Sequence, residues 1–501
     1  MTARAAAMAT AMLVGGCAVG PDHESPVPDG PDRWDAATET EVAAAGVPDR
    51  LWWNGFEDPL LDSLIDRAAA GNLDLAAARL RVQQARALRG VAAAGLFPGV
   101  DARADATRYS LSENSGVLES ELADGGLIPK RGELYQAGFD VVWEIDVFGG
   151  TRRAIEAADA RIAASEEARR AVLMSVLAET ARNYLELRGE QRRLAITRRN
   201  SAILRQTLEI VEGRFRVGLA REIDVARARA QAEVVDALVP LTRGRIRAAA
   251  YRLAVLVGEE PGTLVQELLA EDGMPAPADR VPVGLPSELL RRRPDVRAAE
   301  RQYAAATADV GVATADLFPR FFLTGSGGFE SSSFSDLFDG DSETWSLGPA
   351  IRWPVFQGGR LRARQDFAEA VAEEAAVRYE AAVLRALAET ESALILYGEE
   401  RRTYASLTKA AEASARAADL AERLYEKGLG DFLTVLDAQR RLVEIQDQAV
   451  QSETRVLVRL IALYKACLLY TSDAADDTQF VGWWGGGGGG VRGGGGGGGG
   501  G

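Results

Sequence analysis

Histidine is nearly absent. The 501 residues contain one, His23, in a proline-rich stretch near the start. Imidazole-based triads and the usual zinc sites are excluded on that ground. Cysteine is almost as scarce: Cys17 and Cys467 are the only two, and no Cys-x-x-Cys occurs, so no disulfide framework can be drawn. Positive charge is in deficit. Against 73 Asp and Glu stand 58 Lys and Arg, a net charge of −15, which is the wrong sign for a nucleic-acid binder that needs a basic face. Nor does any cluster of acids sit on a glycine-rich loop. The chain reads as no enzyme, with no cofactor and no metal.

What is present is a duplication. Leu96-Phe97-Pro98, an alternating segment, Trp143-Glu144-Ile145-Asp146-Val147-Phe148-Gly149-Gly150 and a long charged stretch follow one another. The same order returns as Leu317-Phe318-Pro319, an alternating segment, Trp353-Pro354-Val355-Phe356-Gln357-Gly358-Gly359 and a second charged stretch. Farther on, Phe215-Arg216-Val217-Gly218-Leu219 is echoed by Tyr425-Glu426-Lys427-Gly428-Leu429, an offset of 425 − 215 = 210. A repeated unit of helix, two strands and two helices places the function in an architecture.

The N-terminus speaks to compartment. Arg4 precedes an apolar run, residues 5–14, whose roughly ten residues match a signal-peptide core and fall short of the about twenty a membrane helix needs. Val14-Gly15-Gly16-Cys17 then resembles a bacterial lipobox, in which the cysteine becomes the lipidated first residue of the mature chain. Ala18 follows it, where an aspartate would signal retention at the inner membrane. An ordinary signal peptide with an incidental cysteine is the alternative.

The alternating segments carry a membrane reading. Tyr135, Ala137, Phe139, Val141, Trp143, Ile145 and Val147 share one parity, with Gln136, Asp140, Glu144 and Asp146 between them. Residues 100–107 alternate Val or Ala with Asp101, Arg103, Asp105 and Thr107. In the second half Phe321, Leu323, Gly325, Gly327 and Phe329 form one set, and Trp345, Leu347, Ile351, Trp353 and Val355 another. Period two with one apolar face is a strand signature, and segments of about 10 to 13 residues fit a tilted outer-membrane strand. Tyr135, Trp143, Trp345 and Trp353 suit the aromatic girdles of such a barrel. Four strands leave two open edges and cannot close a barrel whose smallest examples have about eight, so two or more copies must share one.

The rest is helix. Residues 151–211 and 360–424 lack proline and are rich in Ala, Glu, Arg and Leu; at about 1.5 Å per residue, sixty residues reach roughly 90 Å. Shorter helices, 60–95 and 295–317, end before Pro98 and Pro319. Pro240 is expected to kink the helix of residues 221–258. The boundaries that follow are 1–16 signal peptide, 17–58 N-terminal extended segment, 59–258 first repeat, 259–290 connector, and 291–466 second repeat. In 467–501 the text changes to Cys467-Leu468-Leu469-Tyr470-Thr471-Ser472 and ends in glycine, which resembles translated sequencing read-through. On this reading Cys467 is foreign to the native chain.

Several motifs together resemble the outer membrane factor family of TolC-like channels, in its lipoprotein branch. They are Trp52-Trp53-Asn54-Gly55-Phe56-Glu57-Asp58-Pro59-Leu60, Tyr135-Gln136-Ala137-Gly138-Phe139-Asp140, residues 143–153, and Leu285-Pro286-Ser287-Glu288-Leu289-Leu290-Arg291-Arg292-Arg293-Pro294-Asp295. The resemblance runs from Cys17 to about Ala466. It implies an α+β fold, internally duplicated: a membrane β-barrel shared between subunits, four strands per chain, continued by a long-helix α-barrel across the periplasm. It further implies a homotrimer in the outer membrane, lipid-anchored (palmitate) at Cys17, working with a periplasmic adaptor and an inner-membrane pump in drug or toxic-solute efflux. A type I protein-secretion duct and a lipid-anchored coiled-coil scaffold remain as alternatives.

The resemblance also marks sites. Gly218 and Gly428 suit the left-handed residue that ends a helix, and Asp431 suits an N-cap. In the family these Gly-Leu turns, with Leu219 and Leu429, look toward the adaptor; plain turn chemistry is the other reading. Leu433 and Asp437 lie four apart on one helical face and resemble the family's periplasmic gate. A ring of such carboxylates would repel and favour cations, whereas an ion pair with Arg440 or Arg441 would be worth little. The first-half equivalent of Asp437 is Arg227 (437 − 210).

Overall fold

The computed structural model describes residues 18–26, 30–36, 43–44, 51–112, 131–270, 273–276, 281–282 and 285–467. Residues 1–16, Cys17 and the tail after Cys467 lie outside the described residues. The strands among these residues are β1 (Ala43–Ala44), β2 (Gly99–Ser110), β3 (Arg131–Ile145), β4 (Val281–Pro282), β5 (Arg320–Ser331) and β6 (Glu343–Arg352). The helices are α1 (Pro59–Gly71), α2 (Leu73–Ala94), α3 (Gly150–Arg216), α4 (Glu222–Val257), α5 (Val265–Ala270), α6 (Pro286–Arg292), α7 (Pro294–Ala315), α8 (Arg360–Glu426) and α9 (Phe432–Cys467).

The four long strands form one antiparallel sheet in the order β2-β3-β5-β6, so the pairing of β3 with β5 sews the two repeats together. Its register matches the alternation strand by strand. Val100 lies opposite Val141 and Ala102 opposite Phe139. Trp143 meets Leu323 and Ile145 meets Phe321; Phe321 in turn meets Ile351, and Gly325 meets Leu347. Because side chains alternate with period two, this register gathers the apolar set on one face and Asp101, Arg103, Gln136, Asp140, Ser326 and Ser346 on the other. A Cβ on Gly138 would fall 2.6 Å from the Gly327 carbonyl oxygen, and one on Gly328 2.4 Å from that of Ala137. The seam between the repeats therefore demands glycine on both sides. Among the described residues β2 and β6 have no outer neighbour, so the sheet has two open edges.

The helices α3 and α8 are 67 residues each, about 100 Å long at the α-helical rise. Each folds back through a short turn, α3 onto α4 and α8 onto α9, and the hairpins meet along α3 and α9. Helix α4 runs on unbroken through Pro240. The expected single helix over 60–95 is two. Asn72 ends α1 and caps α2: its side-chain oxygen accepts from Leu75 N at 3.0 Å, while its amide donates to the Leu256 carbonyl at 2.9 Å. Helix α9 also continues through Cys467, whose thiol is buried and pushed up to about 12 by burial.

The largest core lies where both hairpins meet α1. Trp52 stacks on Tyr464 at 5.2 Å, and Trp53, Phe56, Leu61, Leu64, Ile65, Tyr184, Leu253, Tyr397 and Leu457 close around them. Each such side chain contributes roughly 1.5–3 kcal/mol by leaving water. Asp58 accepts from Leu60 N and Leu61 N at 3.0 and 3.2 Å, and its second oxygen takes the Tyr184 hydroxyl. Burial, and after it that hydrogen bond, raise the Tyr184 phenol above its ordinary value. Arg293 is a second buried hub. It donates to Asp295 at 2.7 Å, Glu389 at 2.6 Å and the Ala466 carbonyl at 3.3 Å. The Trp52–Asp58 and Arg293–Asp295 motifs are thus the bolts of the joint.

The N-terminal segment is a strap along this frame. Val19 N donates to Phe148 O at 3.1 Å, and the buried Arg153 donates to Val19 O, Gly20 O and Asp22. Farther along, His23 Nε2 pairs with Glu300 at 3.0 Å, and the amides of Asp35 and Ala36 each donate to the Glu391 carboxylate at 2.9 Å. The lone histidine serves packing.

Candidate functional site: a one-sided sheet and a two-hairpin tip

Among the described residues the sheet's apolar face has no cover. Trp345 is 75 % exposed, and Val100, Phe139, Leu347 and Ile351 are exposed with it. A contiguous apolar surface on a sheet with unpaired edges requires a partner phase. The opposite face is a polar network. Arg103 donates to Asp105 and to Gln136, each at 3.0 Å; Gln136 donates to Glu330 at 2.6 Å; Ser326 and Ser346 hydroxyls meet at 2.8 Å. Apolar outside and polar inside is the distribution of a membrane strand lining water. No helix among the described residues is long and apolar enough to cross a membrane.

The strand-to-helix corners repeat the duplication in three dimensions. Trp143 Nε1 donates to the Leu96 carbonyl at 2.9 Å, and Trp353 Nε1 to the Leu317 carbonyl at 3.2 Å. Each Trp motif thereby clasps its own Leu-Phe-Pro, which explains why the two motifs travel together. Gly149 and Gly359 take φ of +79° and +86° at the turn into α3 and α8, where a side chain would be strained. Around the corners Phe97, Trp353, Val355 and Phe356 stand exposed, as an interfacial aromatic belt would.

At the far end the two hairpin turns have the same geometry. Gly218 and Gly428 have φ of +79° and +73°. Leu219 N donates to Arg214 O at 2.8 Å and Leu429 N to Leu424 O at 2.9 Å, the six-to-one bond of a glycine-terminated helix. Leu219 is 76 % and Leu429 74 % exposed. Asp431 caps α9 as expected, accepting from Thr434 N at 2.8 Å, and that backbone hydrogen bond holds its carboxyl below the ordinary range. Behind the turns Val211, Ala228, Tyr425, Phe432, Val435 and Leu436 form a buried cluster. Arg214 staples the hairpins, donating to Glu426 O at 2.8 Å with its guanidinium 4.2 Å above the Tyr425 ring. Gln439 donates to Thr207 at 2.9 Å, and Arg193 pairs with Asp447. No sequence signal marked Arg214 or Gln439, because Leu424 and Arg229 occupy their equivalent positions.

Leu433, 54 % exposed, and Asp437 share the face of α9 turned away from this cluster. The expected rival for Asp437, an ion pair with Arg440 or Arg441, is not formed: Arg441 pairs with Glu444 at 3.2 Å, and Asp437 has no ion pair among the described residues. Cys17 lies outside the described residues; Ala18 after it packs so tightly on Gly149 that a Cβ there would lie 2.6 Å from Ala18 Cα.

A one-sided membrane sheet continuous with long paired helices defines an outer membrane channel subunit. The family model for outer membrane efflux proteins matches residues 64–259 and 285–467, and the chain belongs to that family. Among relatives, it is 35 % identical to the pyoverdine export outer membrane protein OpmQ of Pseudomonas putida over 436 residues, 87 % of this chain and 91 % of that protein. It is 30 % identical to the solvent efflux pump outer membrane protein SrpC of Pseudomonas putida over 462 residues, 91 % of this chain and 96 % of that one. The solved structure of the outer-membrane channel OprN superposes with a TM-score of 0.83 at 37 % identity, covering 90 % of this chain and 99 % of that one.

Proposed function

We propose that three copies of this chain close a twelve-stranded barrel in the outer membrane and stack their hairpins into one helical duct below it. The duct receives small toxic solutes or drugs from a periplasmic adaptor and inner-membrane pump and releases them outside. The observation that carries the reading is the sheet register, which yields, among the described residues, an uncovered apolar face, a hydrogen-bonded polar face and two free edges. Four strands per copy make twelve from three, above the minimum of about eight for a closed barrel. Export of small solutes, rather than of proteins, is supported by the solvent and pyoverdine relatives. In this scheme residues 59–258 and 291–466 are the two repeats and 259–290 their connector.

Three site roles complete the proposal. Cys17 carries lipid at the inner rim of the membrane, because the strap after it docks at the corner beside Gly149. Gly218-Leu219 and Gly428-Leu429 offer the adaptor two exposed leucines on a polar tip. Leu433 and Asp437 line the periplasmic constriction. Fractionation and mass in detergent test the scheme: the purified protein should leave outer membranes only with detergent and scatter light as a trimer. A well-folded monomer would refute it.

A further inference from the structure

The second repeat leaves an opening where one helix hands over to the next. Helix α9 ends and helix α7 begins between α3 and α8, and Arg293 bridges the break through the Ala466 carbonyl. In the first repeat the matching break, from α4 to α2, is shut by backbone: a Cβ on Gly258 would lie 2.2 Å from the Gly71 carbonyl oxygen. In the second it is a cavity of about 670 Å³. Small-molecule sites span roughly 300–1,000 Å³.

The cavity faces away from the Trp52 joint. On α9, Leu457, Leu460 and Tyr464 enter that core, while Arg459, Ala462 and Lys465 line the cavity. On α8, Leu394 and Tyr397 take the first side, and Arg385, Ser392 and Leu396 the second. Helices α1, α5 and α6 send Leu61, Leu268 and Leu289 into the core, and among the described residues none of the three helices lines the cavity. With these elements wrapped on one side of the wall, the other side is the lumen.

The lining runs against the charge of the chain. In a protein of net charge −15, Arg293, Arg385, Arg459 and Lys465 meet only Asp295 and Glu389 there. Both acids are held by Arg293, at 2.7 and 2.6 Å, and Lys465 lies near Glu179, which Arg182 already engages at 3.0 Å. Arg385 and Arg459 make no ion pair or hydrogen bond among the described residues. Beside them Ala171, Met174, Ala388, Leu396 and Ala462 supply apolar wall.

We propose that this cavity is a subsite on the inner wall of the duct for amphipathic organic anions of drug size. Arg385 and Arg459 take the acid group of the cargo, and its apolar body lies against Met174 and Leu396. This rests on the duct reading above and names a class of cargo for it. A guanidinium matches a carboxylate or sulfonate with paired hydrogen bonds, and apolar wall around it rejects small inorganic anions that bring no body to bury. Arg385 is exposed, so solvent screening keeps the hold weak. A passage site needs that balance, favourable enough to enter and weak enough to leave.

The test titrates the full-length protein, held in amphipol, with naphthoate and two controls of similar size, naphthalenemethanol and naphthylmethylammonium. Calorimetry should show naphthoate binding about tenfold tighter than the alcohol, and the cation weaker than both. Arg385→Gln and Arg459→Gln should each remove most of that preference and leave the alcohol unchanged. Ala462→Trp, which fills the cavity, should weaken naphthoate and alcohol alike, with mass in solution confirming that each variant assembles as the parent does. Equal affinity for the three probes, or an anion preference untouched by both glutamines, overturns the subsite. Ser392→Cys separates this result from the duct reading. Reaction with a sulfonated thiol reagent should change its single-channel conductance in planar bilayers relative to the parent treated alike, because the label stands in the lumen. A changed conductance without naphthoate preference overturns the subsite and leaves the duct standing. An unchanged conductance takes this wall out of the duct and overturns both.

Discussion

The two repeats share a frame and differ in what they hang on it. Just before each strand pair, the residue capping the last helix reaches back to the end of its own hairpin. Asn72 donates to Leu256 O in the first repeat, and Arg293 donates to Ala466 O in the second, two carbonyls separated by the 210-residue offset. The contact is kept while its chemistry changes, from a neutral amide to a buried guanidinium that also gathers Asp295 and Glu389. The corners diverge as well. In the first, the Asp146 carboxylate accepts from Thr151 N and Arg152 N at 3.0 Å, and the strap docks beside it; in the second, Phe356 occupies the equivalent place and is 89 % exposed. Duplication preserves backbone contacts that set geometry and frees side chains for separate tasks. The first corner holds the N-terminal strap, and the second leaves an aromatic side chain exposed.

The largest effect expected is at the glycine seam. Gly328→Val puts side-chain atoms where a Cβ alone would meet the Ala137 carbonyl at 2.4 Å. The repeats should then fail to pair, and the protein should be lost from outer membranes by immunoblot, while Gly327→Val, with nothing near its Cβ, should assemble. Next come the two caps. Arg293→Ala leaves the Ala466 carbonyl only the longer Thr390 hydroxyl contact at 3.5 Å and opens a cavity at a buried hub, a loss of about 3 kcal/mol, whereas Asn72→Ala should cost about 1 kcal/mol. Thermal unfolding of the detergent-solubilised protein compares them, and equal losses would erase the distinction drawn between the repeats.

The same hub has a pH signature. Burial pushes the Asp295 carboxyl up, but the Arg293 hydrogen bond and charge outweigh it and bring it below its ordinary value. A depressed carboxyl contributes stability that is present above its unfolded value and lost as pH falls through the folded one. Asp295→Asn should therefore flatten the acid limb of the stability profile. Smaller still, Asp146→Ala removes a helix cap worth about 1 kcal/mol. Cys17→Ser should abolish palmitate incorporation while leaving the protein in the outer membrane, because the sheet face supplies the membrane affinity. Equal labelling of the variant would refute lipidation at Cys17.

Much of this frame was legible beforehand because it rests on periodicity. Alternation over residues 135–147 and 321–329 sets which face each side chain takes, and a one-residue slip of register would invert it. The turn glycines were legible for a similar reason, since φ near +75° at Gly218 and Gly428 is open to few other residues. The break at Asn72 was not, because a helix-compatible sequence on both sides hides a cap whose second partner, Leu256 O, is 184 residues away. Nor were the strap and the Arg214 staple, which depend on carbonyls that carry no residue identity. The Trp and Arg-Pro-Asp motifs announced themselves as motifs, but only the fold reveals them as the bolts of one joint.

β2 and β6 are the outer strands of the sheet, and a shared barrel requires each to find its neighbour in another copy. Single cysteines placed along β2 and β6, paired one from each strand and oxidised in outer membranes, should give disulfides between chains that ladder to three copies and stop. Cross-links confined within one chain, or none at any pairing, would contradict a barrel shared among three.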